Sequence, residues 1–240
     1  MFGVVLALAT GLQAQVVVYG PPLTVGVVNN SGLVSDDDLA QWTAAIARQV
    51  HEDLAPVWKI DANIVFEANP PAGAWVCTIA DSGTGESPAT LGIHMVGSDG
   101  TPQCTVNAAK IIQAQGSISA TLSHEIMEML VDPWLSTVTF LQAGSPNAAT
   151  VYLHEICDPV AGYAYLIDGV TVADFVTPTF FVAGFPPVGA ALDQAGIATM
   201  TLQPTAHSYM LVRYINTFGG INSLDSWTYI WGSYCAFGPC

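Results

Sequence analysis

The feature that most constrains this chain is the segment TLSHEIMEMLVDP, which carries one histidine and three carboxylates among apolar residues. Its apolar residues and its terminal proline predict a buried helix over residues 119–132. In such a helix His124 and Glu128 share a face, Asp132 follows one turn later, and Glu125 lies at the edge of the same cleft. Because unpaired buried charge is costly, we expect these groups to meet a metal ion or hydrogen-bond partners.

Composition narrows the function classes. The 240 residues are enough for one large domain or two small ones, and 51% of them are hydrophobic, which is ample for a core. Only 4 Lys+Arg oppose 19 Asp+Glu, giving a formal net charge of -15. This balance excludes a nucleic-acid binder that works through phosphate contacts. The apolar runs are too short to predict a membrane span.

The chain divides by pattern into three parts. Residues 1–23 form an apolar N-terminal segment, and its first 15 residues are similar to a short secretory signal that lacks the positively charged start. A buried apolar arm is the preferred interpretation. An α+β domain is predicted over 24–178, and residues 179–240 are predicted to be an irregular, β-rich extension that closes the domain or mediates assembly.

The five cysteines allow two disulfides and leave one thiol over. Cys77 and Cys104 lie beside candidate strands and could join them, while Cys235 and Cys240 could close a C-terminal loop. Cys157, in an acidic patch, is the expected odd residue. No CxxC occurs, so a cysteine-based zinc site is not predicted. Disulfides would indicate an oxidising, extracellular setting or a virion.

The remaining elements follow from periodicity. Ser35 caps a predicted amphipathic helix over 36–54 that ends near Pro56, with apolar residues at spacings of three and four. The dipeptide Asp168-Gly169 predicts a β-hairpin. Residues 101–104 are predicted to open a loop, and 108–114 to be strand or helix. Strands are predicted at 16–19, 24–29, 64–66, 75–80, 91–96, 151–156, 163–167, 170–176, 210–215 and 227–231. The pattern predicts an α+β fold in which the two helices pack on one face of a mixed, twisted sheet.

The order of helix, twisted sheet, edge strand and motif helix resembles the zincin metallopeptidases, whose active helix carries HExxH. Here Glu128 occupies the position of the second histidine. More narrowly, the chain resembles a group of largely uncharacterised bacterial and phage-encoded proteins with an HExxE motif. The matching segments are VVNNSGLVSDDDLAQWTAAIARQVHEDLAPVW at 27–58, SHEIMEMLVDP at 123–133 and YLHEICDPVAGYAYLIDGVTVADFVTP at 152–178. The resemblance implies a zincin-like fold and a divalent metal, and it supplies no substrate.

By this resemblance Glu125 is the general base for a metal-bound water, and His124 and Glu128 are metal ligands. The third ligand stays open among Asp132 at the end of the helix and the acids of the HEICD segment, Glu155 and Asp158. Zinc is the metal that the resemblance implies. One imidazole with several carboxylates is a harder ligand set, so calcium is the alternative.

Other interpretations of the same residues stand beside this one. The histidine and the acids of the motif helix could form a metal-free hydrogen-bond network that attaches the helix to the HEICD segment. His94 is expected on a sheet face, with the cleft edge as an alternative. His154 is a further ligand candidate, but in a strand it would point away from Glu155.

Two function classes follow. The first is a structural or assembly protein, a secreted surface component or part of a virion, built on a zincin-like domain with a degenerate metal site and associating with itself or with other structural subunits. The second is a metal-dependent hydrolase, a peptidase acting on a peptide substrate with Glu125 as base. The apolar N-terminus, the scarcity of lysine and the aromatic, cysteine-bearing C-terminus favour the first class. The nearly intact motif favours the second.

Overall fold

The computed structural model describes residues 22–84, 90–142, 148–216 and 227–232. Residues 1–21 of the predicted apolar segment, with the predicted strand at 16–19, lie outside these residues, as do Cys235 and Cys240. The helices are α1 (Asp36–Arg48), α2 (Ala55–Trp58), α3 (Ala108–Gln113) and α4 (Ile118–Val131). The strands are β1 (Thr24–Asn30), β2 (Asn63–Phe66), β3 (Trp75–Ala80), β4 (Gly92–Val96), β5 (Pro102–Asn107), β6 (Val138–Gln142), β7 (Ala148–Leu153), β8 (Ala164–Ile167), β9 (Val170–Ala173), β10 (Tyr209–Asn216) and β11 (Thr228–Trp231).

The main sheet has five strands in the order β2-β1-β3-β5-β4. Its neighbours are parallel except at the edge, where β4 runs antiparallel to β5. The mixed sheet and the α+β class are therefore confirmed. The loop predicted to open at 101–104 is wrong, because those residues lead into β5. Pro102 is tolerated as the first residue of the strand, and buried Cys104 and Val106 then alternate with more exposed neighbours.

One face of this sheet carries the core. Val25, Val27 and Ile79 are fully buried on it, and they belong to the same apolar cluster as Leu39 and Ile46 of α1. The buried side chains of α4 join that cluster as well. The predicted packing of both helices on one face of the sheet is confirmed. It explains why the amphipathic spacing of α1 was visible in the sequence.

The first helix begins as predicted and continues further. The Ser35 hydroxyl accepts a hydrogen bond of 3.1 Å from the Asp38 backbone N–H, which caps the first turn. After α1 the chain makes a π-helical stretch over Gln49–Leu54 and then continues as α2. The predicted end near Pro56 is too early, since this proline lies in the first turn of α2, where its missing N–H costs nothing.

A second, antiparallel sheet has the order β11-β10-β7-β6. It joins two strands that follow α4 to two strands from the predicted C-terminal part, and Met210 and Val212 of β10 enter the main core. Strand β6 was not predicted. The strand predicted at 151–156 is wrong at its end, because β7 stops at Leu153 and the HEICD segment is not extended strand.

The predicted hairpin is confirmed in β8 and β9. Asp168 and Gly169 have φ angles of 51° and 81°, which a two-residue turn of this kind requires. Residues 108–114, left open between strand and helix, form α3.

A disulfide joins Cys77 and Cys104, which are register partners on β3 and β5 with their Cα atoms 4.4 Å apart. The predicted strand-to-strand link is confirmed, and Cys157 is a free, buried thiol. A disulfide is compatible with an oxidising extracellular setting. No helix within the described residues is both long enough and apolar enough to cross a membrane.

Candidate metal centre

Helix α4 is almost entirely enclosed by the rest of the chain. Ser117 caps it by accepting a hydrogen bond from the Ala120 N–H, and ten of its fourteen residues are buried. It contacts β4 and β5 on one side and β9 on the other. The polar residues of the motif therefore project into protein, and only the side chain of His124 retains some exposure, at 16%. Glu125 and Glu128 are buried.

The HEICD segment crosses close to this helix, as the sequence predicts. His124 Nε2 lies 3.1 Å from Glu128 Oε2 and 3.2 Å from Asp158 Oδ1. The other oxygen of Glu128 accepts hydrogen bonds from the backbone N–H groups of Cys157, at 3.0 Å, and Asp158, at 3.2 Å. Glu128 thus uses one oxygen to hold the segment and presents the other to the imidazole.

The sequence analysis expects His94 on a sheet face and gives the cleft edge only as the alternative. His94 lies on a sheet face, as expected, but on the buried face of β4 that meets α4. Its Nδ1 atom is 3.9 Å from Glu125 Oε2 and 3.9 Å from Glu128 Oε2. Its Nε2 atom is 3.7 Å from Glu155 Oε2. The signal for this position was the alternation along β4, which places His94 on the same face as Gly92.

Gly92 makes room for the motif helix. A Cβ atom at this position would lie 2.4 Å from Glu125 Oε1 and 2.7 Å from Glu125 Cγ, closer than such atoms approach. Any side chain here would displace the whole carboxylate arm of Glu125. The glycine therefore sets the close approach of β4 to α4 and, with it, the distance from His94 to Glu125.

Asp132 and His154, two of the predicted ligand candidates, have partners outside the cluster of His94, His124, Glu125 and Glu128. Asp132 ends α4, and its Oδ1 atom accepts hydrogen bonds from the N–H groups of Ser136 and Thr137. The His154 ring stacks on Phe181 at 4.0 Å between centroids. Its Nε2 atom is hydrogen-bonded to Thr139 on β6 at 2.8 Å. His154 and Glu155 diverge because the chain turns after β7, rather than because a strand alternates.

The electrostatics of the cluster are those of crowded buried carboxyls. Burial opposes the charged form of Glu128, but His124, His94 and the Cys157 N–H outweigh it and lower the pKa of Glu128. Burial raises the pKa of Glu125 and, together with the charge of Glu128, raises that of Asp158 to about 7.

The other groups of the cluster respond to the same charges. Burial and the surrounding carboxylates raise the pKa of Glu155 well above its ordinary value. Burial opposes protonation of both histidines, yet Glu128 raises the pKa of His124 well above normal and Glu125 raises that of His94. Burial and nearby carboxylates also raise the pKa of Cys157. Without a cation, the cluster must keep protons to balance its carboxylates.

The buried side chains can hold a metal ion. Two groups have ligand atoms that all lie within 4.8 Å of one another: His124, Glu128 and Cys157, and His94, Glu125 and Glu128. Imidazole, carboxylate and thiolate donors together suit zinc. His94 Nε2 and Glu155 Oε2 are buried without a hydrogen-bond partner, which is the unsatisfied state that a bound cation relieves. Cys157 was not predicted as a ligand, because its partners come from a different segment rather than from a CxxC.

Comparisons of the chain with protein-family models, with curated proteins and with solved structures find no match.

Proposed function

We propose that this chain is a structural or assembly protein, a secreted surface or virion component, built on a zincin-like domain whose HExxE site binds a divalent metal as a closed clamp. The observation that carries the proposal is the convergence of buried ligands from three separate parts of the chain. They come from β4, from α4 and from the segment at 155–158, and no side chain among them is more than 16% exposed.

A clamp follows from the energetics of these side chains. Several carboxylates buried together destabilise the folded state unless a cation or protons compensate them. A metal bound only by the folded chain adds its binding free energy to the stability of the fold. By joining His124 to Asp158 the ion would tie α4 to the segment that leads into the C-terminal part.

The same geometry argues against efficient peptide hydrolysis. A catalytic zinc keeps an open position for water and substrate, whereas a structural site is closed by protein ligands. Glu125, the base in a zincin, is packed beneath Gly92 with its side chain 8% exposed. The carboxylate of Glu128 in place of a second imidazole adds negative charge beside the metal, which makes a bound water less acidic. The surface cavity that Ala47 and Asp61 line lies away from this cluster, beside β2 at the sheet edge opposite β4.

Two further features support the zincin-like and assembly parts of the proposal. The antiparallel edge strand β4 lies against the motif helix, in the order that the resemblance to zincins implies. Large apolar side chains are also exposed on and near β6, where Trp134 is 58% and Phe140 is 61% exposed. Phe185, in a loop of the C-terminal part, is 90% exposed. Exposed apolar groups of this size are typical of surfaces that contact other subunits.

The metallopeptidase remains a second candidate because of one observation. The raised pKa of Glu125 is what a general base needs near neutral pH, and His124 beside it reaches the surface.

The test uses purified full-length protein loaded with zinc. A chelator should lower the Tm of the wild-type chain and lower that of His124→Ala by less, while His51→Ala, at an exposed histidine, should respond like wild type. A peptide library should remain uncleaved, and light scattering should show an oligomer. Robust turnover that disappears in a folded Glu125→Gln variant would establish the enzyme and overturn the structural role.

A further inference from the structure

We propose that the HExxE cluster is a dinuclear centre, in which Glu128 bridges two divalent ions and His94 and Glu125 hold the second one. This inference rests on the proposed metal clamp and extends it by a second ion. The simplest interpretation of the motif helix has a single metal, and the second position arises because His94 of β4 faces Glu125 and Glu128 of that helix.

The geometry supplies two ligand sets that share one residue. The first set has His124 Nε2 at 3.1 Å from Glu128 Oε2 and 3.2 Å from Asp158 Oδ1, with the Cys157 thiol within reach. The second has His94 Nδ1 at 3.9 Å from both Glu125 Oε2 and Glu128 Oε2. The same oxygen of Glu128 faces both imidazoles. The two ions of a bridged pair lie about 3.5–4 Å apart in proteins. A single shared carboxylate oxygen can bind both ions at that separation.

Glu128 is fixed in the orientation that a bridge needs. Its Oε1 atom is occupied by the N–H groups of Cys157 and Asp158, so Oε2 cannot turn toward the backbone. The lone pairs of Oε2 are therefore directed between the two histidines.

A separate observation, on the far side of the ring, fits His94 as a ligand through Nδ1. The side chain of His94 is 4% exposed, and its Nε2 atom has no hydrogen-bond partner. The nearest carboxylate oxygen, Glu155 Oε2, is also buried and unpartnered, 3.7 Å away. Once Nδ1 of His94 binds a metal, Nε2 carries the proton and can donate it to Glu155. Carboxylates commonly orient metal-bound histidines in this way.

Charge balance favours two ions over one. The cluster holds four carboxylates, from Glu125, Glu128, Glu155 and Asp158, and its ion pairs within the described residues are made with two imidazoles. One divalent ion with neutral histidines leaves two negative charges in a buried site, which protons would have to compensate. Two divalent ions bring the set to neutrality. Buried charge is stable only when it is compensated in this way.

The experiment measures metal stoichiometry on the full-length chain. Apo-protein is titrated with zinc chloride, desalted, and analysed for zinc per chain by elemental analysis, with circular dichroism to verify folding. We expect two zinc ions per wild-type chain and two for the control His51→Ala, whose exposed ring pairs with Asp61 outside the cluster. The variant His94→Ala should bind one, because the set around His124 is intact.

A second measurement does not depend on any variant. Wild-type protein loaded with manganese should give the electron paramagnetic resonance spectrum of an exchange-coupled pair, since two ions bridged by one oxygen interact magnetically.

The outcomes separate the two proposals. One zinc per wild-type chain with an isolated-ion manganese spectrum would overturn the dinuclear centre and leave the single-metal clamp standing. No bound metal in wild type would overturn both. Two ions that both persist in folded His94→Ala would place the second ion elsewhere and also overturn this inference.

Discussion

Buried carboxylates occur in two regions of this molecule, and they are satisfied in different ways. In the HExxE cluster the acids face imidazoles and one another, and only Glu128 among them receives backbone hydrogen bonds in the described structure. In the second region, where β9 meets the loop after Leu192, Asp174 and Asp193 are equally buried, at 0% and 2% exposure.

The second region uses the backbone as its partner. Asp174 Oδ1 accepts hydrogen bonds from the N–H groups of Phe175 and Ala195. Asp193 accepts them from Ile197 and Ala198. Burial and contact with the carboxyl of Asp193 raise the pKa of Asp174 to about 7, so Asp174 keeps its proton up to near neutrality.

The comparison distinguishes acids that shape a loop from acids arranged as ligands. Backbone N–H groups supply a carboxylate with donors, and a carboxylate so supplied has fewer lone pairs left for a cation. Asp132 belongs with the loop-shaping acids for the same reason, because two N–H groups occupy its Oδ1 atom. The acids around His94 and His124 mostly lack such donors, and they are the ones with ligand geometry.

The largest effect is expected from Glu128→Ala. It removes the acceptor of two buried N–H groups and the partner of both histidines, so the free energy of unfolding should fall by about 3–5 kcal/mol. Glu128→Gln keeps an oxygen for the N–H groups and should lose only about 1–2 kcal/mol, while losing metal. Urea unfolding measures both, with Glu67→Ala on the surface as control. Equal losses for the two variants would show that the backbone bonds to Glu128 contribute little.

Gly92→Ala should act on the ligand cluster alone. The added Cβ must displace Glu125, and overpacking of this kind costs about 1–3 kcal/mol. Zinc affinity, measured by calorimetry, should fall although no ligand has been removed. In Gly32→Ala the new Cβ meets nothing closer than Asp81 Oδ2 at 3.7 Å, so this control should retain wild-type affinity. An unchanged zinc affinity in Gly92→Ala would show that β4 does not shape the metal site.

Asp174→Asn should change the pH dependence of stability and leave zinc binding intact. The pKa of Asp174 is raised from 3.8 to about 7 in the folded chain, so its contribution is fully present below pH 3.8 and is lost as pH rises through about 7. At pH 8 the variant should be more stable than wild type by about 1–2 kcal/mol.

Urea midpoints at pH 4, 6 and 8 measure this difference. The stability of Asp193→Asn should likewise vary less with pH than that of wild type, because either substitution removes one of two facing carboxyls. An Asp174→Asn variant that is destabilised equally at every pH would show that the raised pKa of Asp174 does not set the pH dependence of stability.

The smallest effect is expected from an exposed pair. Glu52 lies 2.9 Å from Arg48 on the surface of the helical segment, with both side chains about half exposed. Solvent screens such pairs, so Glu52→Gln should leave the urea midpoint and the zinc stoichiometry unchanged. A resolvable loss would mean that the surface charges of this acidic chain act together.

The sequence by itself determined the local elements and the identity of most cluster residues. The spacing in α1, the cap at Ser35, the hairpin at Asp168 and the motif face of α4 all depend on neighbours within a few residues. Local periodicity records such contacts directly. The approach of the HEICD segment to α4 was also predicted, because both segments carry acids among apolar residues and need partners, but which acid would meet His124 stayed open.

Only the tertiary structure decided which of the candidates meet. His94 meets Glu125 because β4 is the antiparallel edge strand beside α4, and Cys157 meets His124 and Glu128 because β7 ends before the HEICD segment. Asp132 and His154 carry the same chemistry, but Asp132 Oδ1 is bound by backbone N–H groups, and the His154 ring stacks on Phe181 and bonds to Thr139. Pairing between distant strands and the supply of backbone donors are set by the path of the whole chain, so no local pattern encodes them.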